Sequence, residues 1–409
     1  MYEHILVALD GSAPGQWGGR IALDLARKTK AVISVCHIYG ANMHRQRFED
    51  MEPGLPADFQ EPTSLAELRQ THGTLMQEGF EALSAGFVED YVRDARTAGL
   101  DARALLAEGR NYVRIIDLAS QIGADLVVLG ATGLGCDSGD ALGSTTERVL
   151  RHAPCDMLIA RGAAEGAVIA GIDGSQAALD AAGTAAQAAE ALGERLDLAA
   201  VYDPEFHTTV FRAMGGALSP ERQAQVGLAT QEDLHDRIIN DGLATLYAGF
   251  LDEAREQLNG AAGSVETVLL TGKAHTALSQ HARTADAGLV VVGRYGHHRE
   301  DISQLGANTE NLARRAGTNV LIVGGVGVSA TTDRDEPAIT PIELDSESKL
   351  AWDADAEQCL TRVPPFARPM ARRAIEASVQ AEGRDSVTIA DFAAVAKRFG
   401  MAQGDEQDQ

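Results

Sequence analysis

The chain has 409 residues, 35 of them basic and 59 acidic, for a net charge of −24. That length implies two or three domains, and the acidity excludes a binder of nucleic acid or anionic lipid, because no basic tract is present to release counterions from phosphates. Cys36, Cys136, Cys155 and Cys359 lie far apart without a C-x-x-C pair, which argues against a disulfide framework or a zinc site and fits a reducing cytoplasm; no stretch reads as a signal peptide or as a membrane span.

In chain order, an apolar β-branched run over residues 5–9 ends in Asp-Gly-Ser and reads as a strand, followed by Ala-rich helical periodicity over 14–30. A second strand, "AVISVCHIY", leads into a long insertion with an extended helical stretch. "LDARALLAEG" supplies a third strand. A helix, a fully apolar fourth strand, the loop "LGATGLGCDSGDALGSTTERVL", another helix and the strand "DMLIARG" complete the unit.

The whole pattern then recurs at an offset of 163: Asp10 aligns with Asp173, Gly109 with Gly272, Gly130 with Gly293 and Gly143 with Gly306, and "CDMLIARG" with "TNVLIVGG". A constant offset across these landmarks implies duplication of a whole domain. Apolar strands alternating with helices predict α/β architecture, as two tandem open five-stranded parallel sheets covered on both faces, over residues 1–163 and 164–327. The fifth strands leave apolar edges, and pairing them edge to edge within the chain is the simplest way to cover them. Residues 328–347, rich in Ser, Thr, Asp, Glu and Pro, read as a linker, 348–402 as a small all-α domain with Thr388 and Asp391 placed to cap its last helix, and 403–409 as a disordered tail.

In open parallel sheets, ligands sit beyond the carboxyl ends of the strands, where the glycine-rich loop lies. Gly130, Gly133 and Gly143 are spaced G-x2-G-x9-G, with Ser144-Thr145 opening a helix. Bare amides, a helix N-terminus and a hydroxyl together favour an anion. Ser144 and Glu147 also spell a capping box, so Ser144 reads both as a cap and as a phosphate contact. The loop is neither a Walker A sequence nor a dinucleotide fingerprint.

"VALDGS" together with Gly130, Gly133, Gly143 and Ser144 resembles the universal stress protein family in its ATP-binding form, over residues 1 to about 325 as two copies. The resemblance implies a Rossmann-like, adenine nucleotide alpha hydrolase-like fold. It places Asp10 beside adenosine, the backbone at Ile38 against adenine, and Gly130, Gly133, Gly143, Ser144 and Thr145 around ribose and phosphates. Carried by the offset, Asp173, Val201, Gly293, Gly296 and Gly306 are the second copy's counterparts. An Asx turn in Asp-Gly-Ser is the structural alternative for Asp10.

The second copy departs from the pattern, with Ala307 in place of the serine and Asn308 after it. Losing a hydrogen bond to a charged group costs about 1.5–3 kcal/mol, or roughly 10- to 100-fold in affinity, so this site is expected to be weaker or empty. Arg294, His297, His298 and Arg299 in its loop read as solvated residues or as phosphate contacts. In the first loop Asp137 and Asp140 would repel a triphosphate unless Mg2+ or Mn2+ bridges them, so ATP binding there is expected to need divalent metal. Cys136 reads as a small loop residue.

The segment "AWDADAEQCLTRVPPFARPMARRAIEASVQAEG" with "VTIADFAAVAKRFG" is similar to the C-terminal helical domain of the light-independent protochlorophyllide reductase B subunit, without that enzyme's iron-sulfur cysteines. It implies association with a partner protein, with Arg368, Arg372 and Arg373 as a basic face open to solvent or to that partner. The combined expectation is a cytoplasmic, ATP-binding stress-response regulator that hydrolyses slowly if at all, with homodimerisation possible. A slow ATPase or phosphotransferase using Asp137 or Asp140, and a scaffold that binds no nucleotide, are the alternatives.

Overall fold

The computed structural model describes residues 2–135, 142–258, 265–297, 305–325, 340–342, 350–363 and 368–398. The first repeat contains β1 (His4–Ala8), α1 (Ala13–Thr29), β2 (Val32–Tyr39), α2 (Ala41–Met51), α3 (Pro62–Thr97), β3 (Ala102–Glu108), α4 (Asn111–Ile122), β4 (Leu126–Gly130), α5 (Ser144–His152) and β5 (Asp156–Ala160). The second contains β6 (Ala167–Ile172), α6 (Gln176–Leu192), β7 (Leu196–Tyr202), α7 (Pro204–Gly216), α8 (Pro220–Gln225), α9 (Leu228–Leu258), β8 (Val265–Thr271), α10 (Ala274–Thr284), β9 (Ala287–Gly293), α11 (Ala307–Arg315) and β10 (Asn319–Val323). After these come β11 (Thr340–Ile342), β12 (Ala351–Trp352), α12 (Ala354–Thr361), α13 (Arg368–Ala381), β13 (Ser386–Val387) and α14 (Ile389–Arg398).

Local chemistry accounts for the boundaries. The Ser175 hydroxyl accepts from the Ala178 amide to start α6, and Gly193, at φ 74°, ends it in the left-handed region. Between them Ala178, Ala181, Ala182, Ala185, Ala186 and Ala189 recur at helical spacing and are all buried. Small side chains let this helix lie close to the sheet.

The chain packs as two bodies. The first comprises Met1–Val7, Ala13–Ile33 and Ile116–Arg334. Its strands run in the order β1-β4-β5-β10-β9-β6-β7-β8. All neighbours within a repeat are parallel. The second repeat's five strands therefore lie in the order fifth, fourth, first, second, third, with the switch of direction between β6 and β9, where open α/β sheets place ligands. At the seam β5 and β10 pair antiparallel, with Met157 opposite Ile322, Leu158 opposite Leu321 and Ile159 opposite Val320. This is the edge-to-edge pairing that the two apolar fifth strands predict.

Helices α5 and α11 cross-link the same seam. Arg314 reaches Glu147 at 2.6 Å and Arg151 reaches Glu310 at 3.0 Å, four residues related in pairs by the offset of 163. Tyr2 donates to Asp156 Oδ2 at 2.8 Å, and the Gly324 amide donates to Asp156 Oδ1 at 2.7 Å. Burial raises the Asp156 carboxyl above its ordinary value, because the charged form loses more hydration than these two donors restore.

The second body comprises Ala8–Ser12, Ser34–Ile115 and Asp335–Gln409. Here β2 and β3 lie side by side, α3 packs on β3, and β11 pairs antiparallel with β3, setting Thr340 opposite Leu106 and Ile342 opposite Ala104. The stretch 328–347 is thus more than a linker: three of its residues form a strand on the edge of β3. An edge position is where a strand tolerates a proline such as Pro341. The C-terminal module gathers α12, α13 and α14 around Ala356, Ile375, Val379, Val387 and Val395. It also holds a two-residue parallel pair, β12 with β13, which the all-helical expectation lacked. The Thr388 amide donates to the Asp391 carboxylate at 2.8 Å, so these two residues do cap α14. The tail from 399 onward lies outside the described residues.

Candidate functional site

The glycine loop of the first repeat begins where β4 ends. A Cβ on Gly130 would stand 2.7 Å from the Gly15 nitrogen, so glycine is required here because the start of α1 presses on the strand end. The Gly143 amide donates to the Ala131 carbonyl at 2.7 Å and closes the loop, and Gly143 lies beside the Gly133 amide. Gly143 is also the N-cap of α5, so the cap residue offers no side chain to the first-turn amides. Ser144 is exposed at the first helical position, Thr145 is half-buried, and Thr146 donates to the Gly130 carbonyl at 2.7 Å. The capping box read from Ser144 and Glu147 is not formed. Ser144 lies one residue too late to cap, and Glu147 is drawn to Arg314, which holds its carboxyl below the usual value. Cys136, Asp137 and Asp140 lie outside the described residues.

In the second body, Asp10 accepts the Ser12 amide at 3.0 Å, with Gly11 at φ 79°, which is the Asx turn. The Leu9 amide donates to the Cys36 carbonyl at 2.9 Å, and His37 Nδ1–H donates to the Leu9 carbonyl at 2.6 Å. Burial lowers the pKa of His37, so its ring is neutral at pH 7. Ile38, the residue assigned to adenine, is buried between His37 and Tyr39. Helix α3 holds both neighbours. Phe87 packs on His37 with ring centroids 4.8 Å apart, and Tyr39 donates to Glu81 at 3.1 Å while accepting from Gln77 at 3.2 Å. Burial, followed by the charge of Glu81, pushes the Tyr39 phenol up to about 12.

The second repeat's counterparts all lie in the first body. Asp173 Oδ1 accepts from the Ser175 amide at 3.0 Å, and Asp173 Oδ2 accepts from the His297 amide at 3.2 Å. A Cβ on Gly296 would stand 2.8 Å from Asp173 Oδ2, and Gly306 lies beside the Gly296 amide, so Asp173, Gly296 and Gly306 converge. Gly293 meets Ala177 as Gly130 meets Pro14. Val201 is buried at the end of β7. Near it Phe250 lies against Gly174, and Tyr247 packs between Phe250 and Tyr202, with centroids at 5.3 and 6.2 Å. Ala307 and Asn308 are exposed at the start of α11, and Gly306 is its N-cap.

Arg294 corrects the sequence reading. It is neither solvated nor turned to a phosphate: at 1% exposure it donates to Gly324 O at 2.7 Å, to Leu150 O at 2.7 Å and to Ala153 O at 3.4 Å. The last two are carbonyls at the end of α5, where a helix dipole favours a cation. His297 is exposed, while His298 and Arg299 lie outside the described residues.

The basic face of the C-terminal module is likewise occupied from within the second body. Arg368 donates to Val363 O at 2.7 Å, Arg372 to Glu357 at 2.9 Å while stacking on Trp352 at 4.4 Å, and Arg373 to Glu89 at 2.9 Å and to Ala82 O at 3.0 Å. These arginines therefore do not form an open docking face. Sequence reasoning also passed over Thr146 and Thr309. The second donates to Gly293 O at 2.8 Å as the first does to Gly130 O, and the offset of 163 that aligns them was the available signal.

Among the described residues no group of three His, Cys, Asp or Glu is placed to hold a metal ion, and no helix is long and apolar enough to cross a membrane. A model of the universal stress protein family matches residues 1–161 and again 166–324. One for the proto-chlorophyllide reductase 57 kD subunit matches residues 352–395. A universal stress protein homologue of Staphylococcus haemolyticus is 26% identical over 162 residues, 39% of this chain and 85% of its own length. A universal stress protein of Archaeoglobus fulgidus aligns in structure over 79% of this chain and 98% of its own, at 17% identity and a TM-score of 0.49. Another, solved in complex with cAMP, is 27% identical over 40% of this chain and 98% of its own, with a TM-score of 0.27.

Proposed function

Since the chain belongs to the universal stress protein family in tandem form, we propose that it is a stress-response regulator whose first repeat binds ATP. The observation that carries this reading is the start of α5. Glycine is its N-cap, so the cap position itself supplies no side-chain acceptor to the first-turn amides, and Ser144, exposed, opens the helix beside them. Such amides at the positive end of a helix favour phosphate. The family resemblance assigns the phosphates and ribose to Gly130, Gly133, Gly143, Ser144 and Thr145, and adenosine to Asp10 and the backbone at Ile38. Asp137 and Asp140 sit in the same loop of the sequence, so Mg2+ or Mn2+ bridges the triphosphate and offsets their charge.

The second repeat, with Asp173, Val201, Gly293, Gly296 and Gly306, binds ATP weakly or not at all. Ala307 removes the hydroxyl, and Asp173 already spends both oxygens on Ser175 and His297. Hydrolysis is slow, and the protein acts as a receptor for the nucleotide.

Calorimetric titration of the full chain with ATP tests this reading, first with Mg2+ and then with excess chelator, and with cAMP as a competing ligand. Saturable heat with Mg2+ that weakens at least tenfold on chelation is the expected result. No heat with Mg2+ rejects ATP binding, and equal heats reject the metal bridge.

A further inference from the structure

The C-terminal module packs on helix α3 of the first repeat, and that helix holds the end of β2 that the ATP reading assigns to adenine. Arg373 of α13 bonds α3 at two places seven residues apart, Ala82 O at 3.0 Å and Glu89 at 2.9 Å, and so on one face of the helix. Both anchors adjoin the residues that grip β2. Ala82 directly follows Glu81, the partner of Tyr39, and Glu89 lies two residues beyond Phe87, which packs on His37. Ile38 stands between His37 and Tyr39. Beside these anchors, at helical spacing from them, Ala85 and Val92 are buried together with Ser84, Val88 and Ala95, and α3 packs on β3. The Arg373 contacts therefore flank the buried face of α3 and pin the helix in place on its sheet.

A second anchor acts on the same layer. Strand β11, in the connection that leads to the module, is hydrogen-bonded to β3, the strand under α3. The module and its connection thus brace both the helix and the sheet edge.

We propose that Arg373 is a positioning residue for the nucleotide site, and that docking of the C-terminal module on α3 sets the ATP affinity of the first repeat. This inference rests on the reading of that repeat as an ATP site. Docking seats α3, α3 fixes His37 and Tyr39, and these hold the backbone at Ile38 in the geometry that adenine meets. Undocking frees α3 to shift and costs affinity, and by linkage bound ATP tightens the docked state by the same factor.

The test uses the full chain and two charge reversals on opposite sides of the contact, Arg373→Glu and Glu89→Arg. Amide hydrogen exchange in α13 and β11 reports docking, and calorimetry with Mg·ATP reports affinity. Each single variant is expected to speed exchange in α13 and to weaken ATP binding about tenfold, a typical size for such coupling. The double variant restores the ion pair in reverse but not the bond to the Ala82 carbonyl, so it is expected to recover part of both losses relative to either single variant, a recovery that general destabilisation would not produce. In the unaltered chain, ATP is expected to slow exchange in α13.

If either reversal loosens α13 while ATP affinity holds, the coupling is wrong. If neither loosens α13, Arg373 is not the anchor and the proposal also fails. Absence of ATP binding by the unaltered chain would instead remove the reading on which the inference rests, and that outcome is visible before any variant is made.

Discussion

The two repeats share one fold and one loop spacing, yet differ at the residue that follows the fourth strand. In the first repeat this is Ala131; at the matching place in the second it is Arg294, buried and bonded to the end of α5 in the first repeat. The seam around it combines symmetric and asymmetric parts. Glu147 and Arg151 exchange ion pairs with Glu310 and Arg314 as a two-fold relation requires, whereas Asp156 stands opposite Asn319 by alignment and Arg161 opposite Gly324. Duplication supplied two equal loops. Divergence left one ending in Ser144 beside uncapped amides and gave the other a guanidinium turned into the interface.

The largest effect that would break this comparison is expected at Arg294. Arg294→Ala leaves Leu150 O and Gly324 O buried without their donor, and the fold should lose about 3 kcal/mol, read from the midpoint of urea unfolding. A loss under about 1 kcal/mol would mean that this side chain is not holding the seam.

Next in size is Gly143→Val. A Cβ there would meet the Ala131 carbonyl at 3.4 Å, an ordinary contact, so the fold is kept while the side chain covers the first-turn amides of α5. ATP affinity should drop by roughly 10- to 100-fold with little change in unfolding, and Gly306→Val should leave the titration as it was. Equal losses from both substitutions would contradict the inequality of the repeats.

Sharpening the same contrast, Ala307→Ser restores the hydroxyl in the second repeat. Tighter binding by about tenfold is expected there, seen as a second saturable phase. An unchanged isotherm would show that something other than the missing hydroxyl, such as the packing of Tyr247 and Phe250, closes that site.

The smallest effect concerns pH at the seam. Asp156 has a raised pKa in the fold because it is buried, so its contribution to stability is present below the ordinary carboxylate value of 3.8 and is lost as pH rises through the raised value. Asp156→Asn, which copies the residue aligned with it in the second repeat, should flatten the slope of stability against pH above the ordinary carboxylate value of 3.8. A steeper slope would mean that the donors from Tyr2 and Gly324 favour the charged form more than burial opposes it.

Much of this organisation was legible in the sequence because it rests on local pattern. Apolar β-branched runs give the strands, a fixed offset gives the duplication, and two apolar fifth strands call for each other. What escaped depends on partners distant in sequence. Glu147 spells a capping box with Ser144, but a cation 167 residues away decides its role. Arg294 sits in a loop that looks solvent-facing until the first repeat is folded against it. Residues 340–342 belong to a stretch whose composition is that of a linker, and only the open edge of β3 makes them a strand. Arg372 and Arg373 read as a free basic face because neither Trp352 nor Glu89 is a helical neighbour. The glycines gave a mixed signal. Gly130 is explained by the approach of α1, which is packing, whereas the absence of a cap at Gly143 is the feature that bears on a ligand.

The central claim is that the tandem chain carries one competent nucleotide site. Native mass spectrometry of the full chain, equilibrated with Mg·ATP at concentrations above saturation, measures it directly. One ATP per chain, lost in Gly143→Val and retained in Gly306→Val, is the predicted result; two per chain, or none, would contradict it.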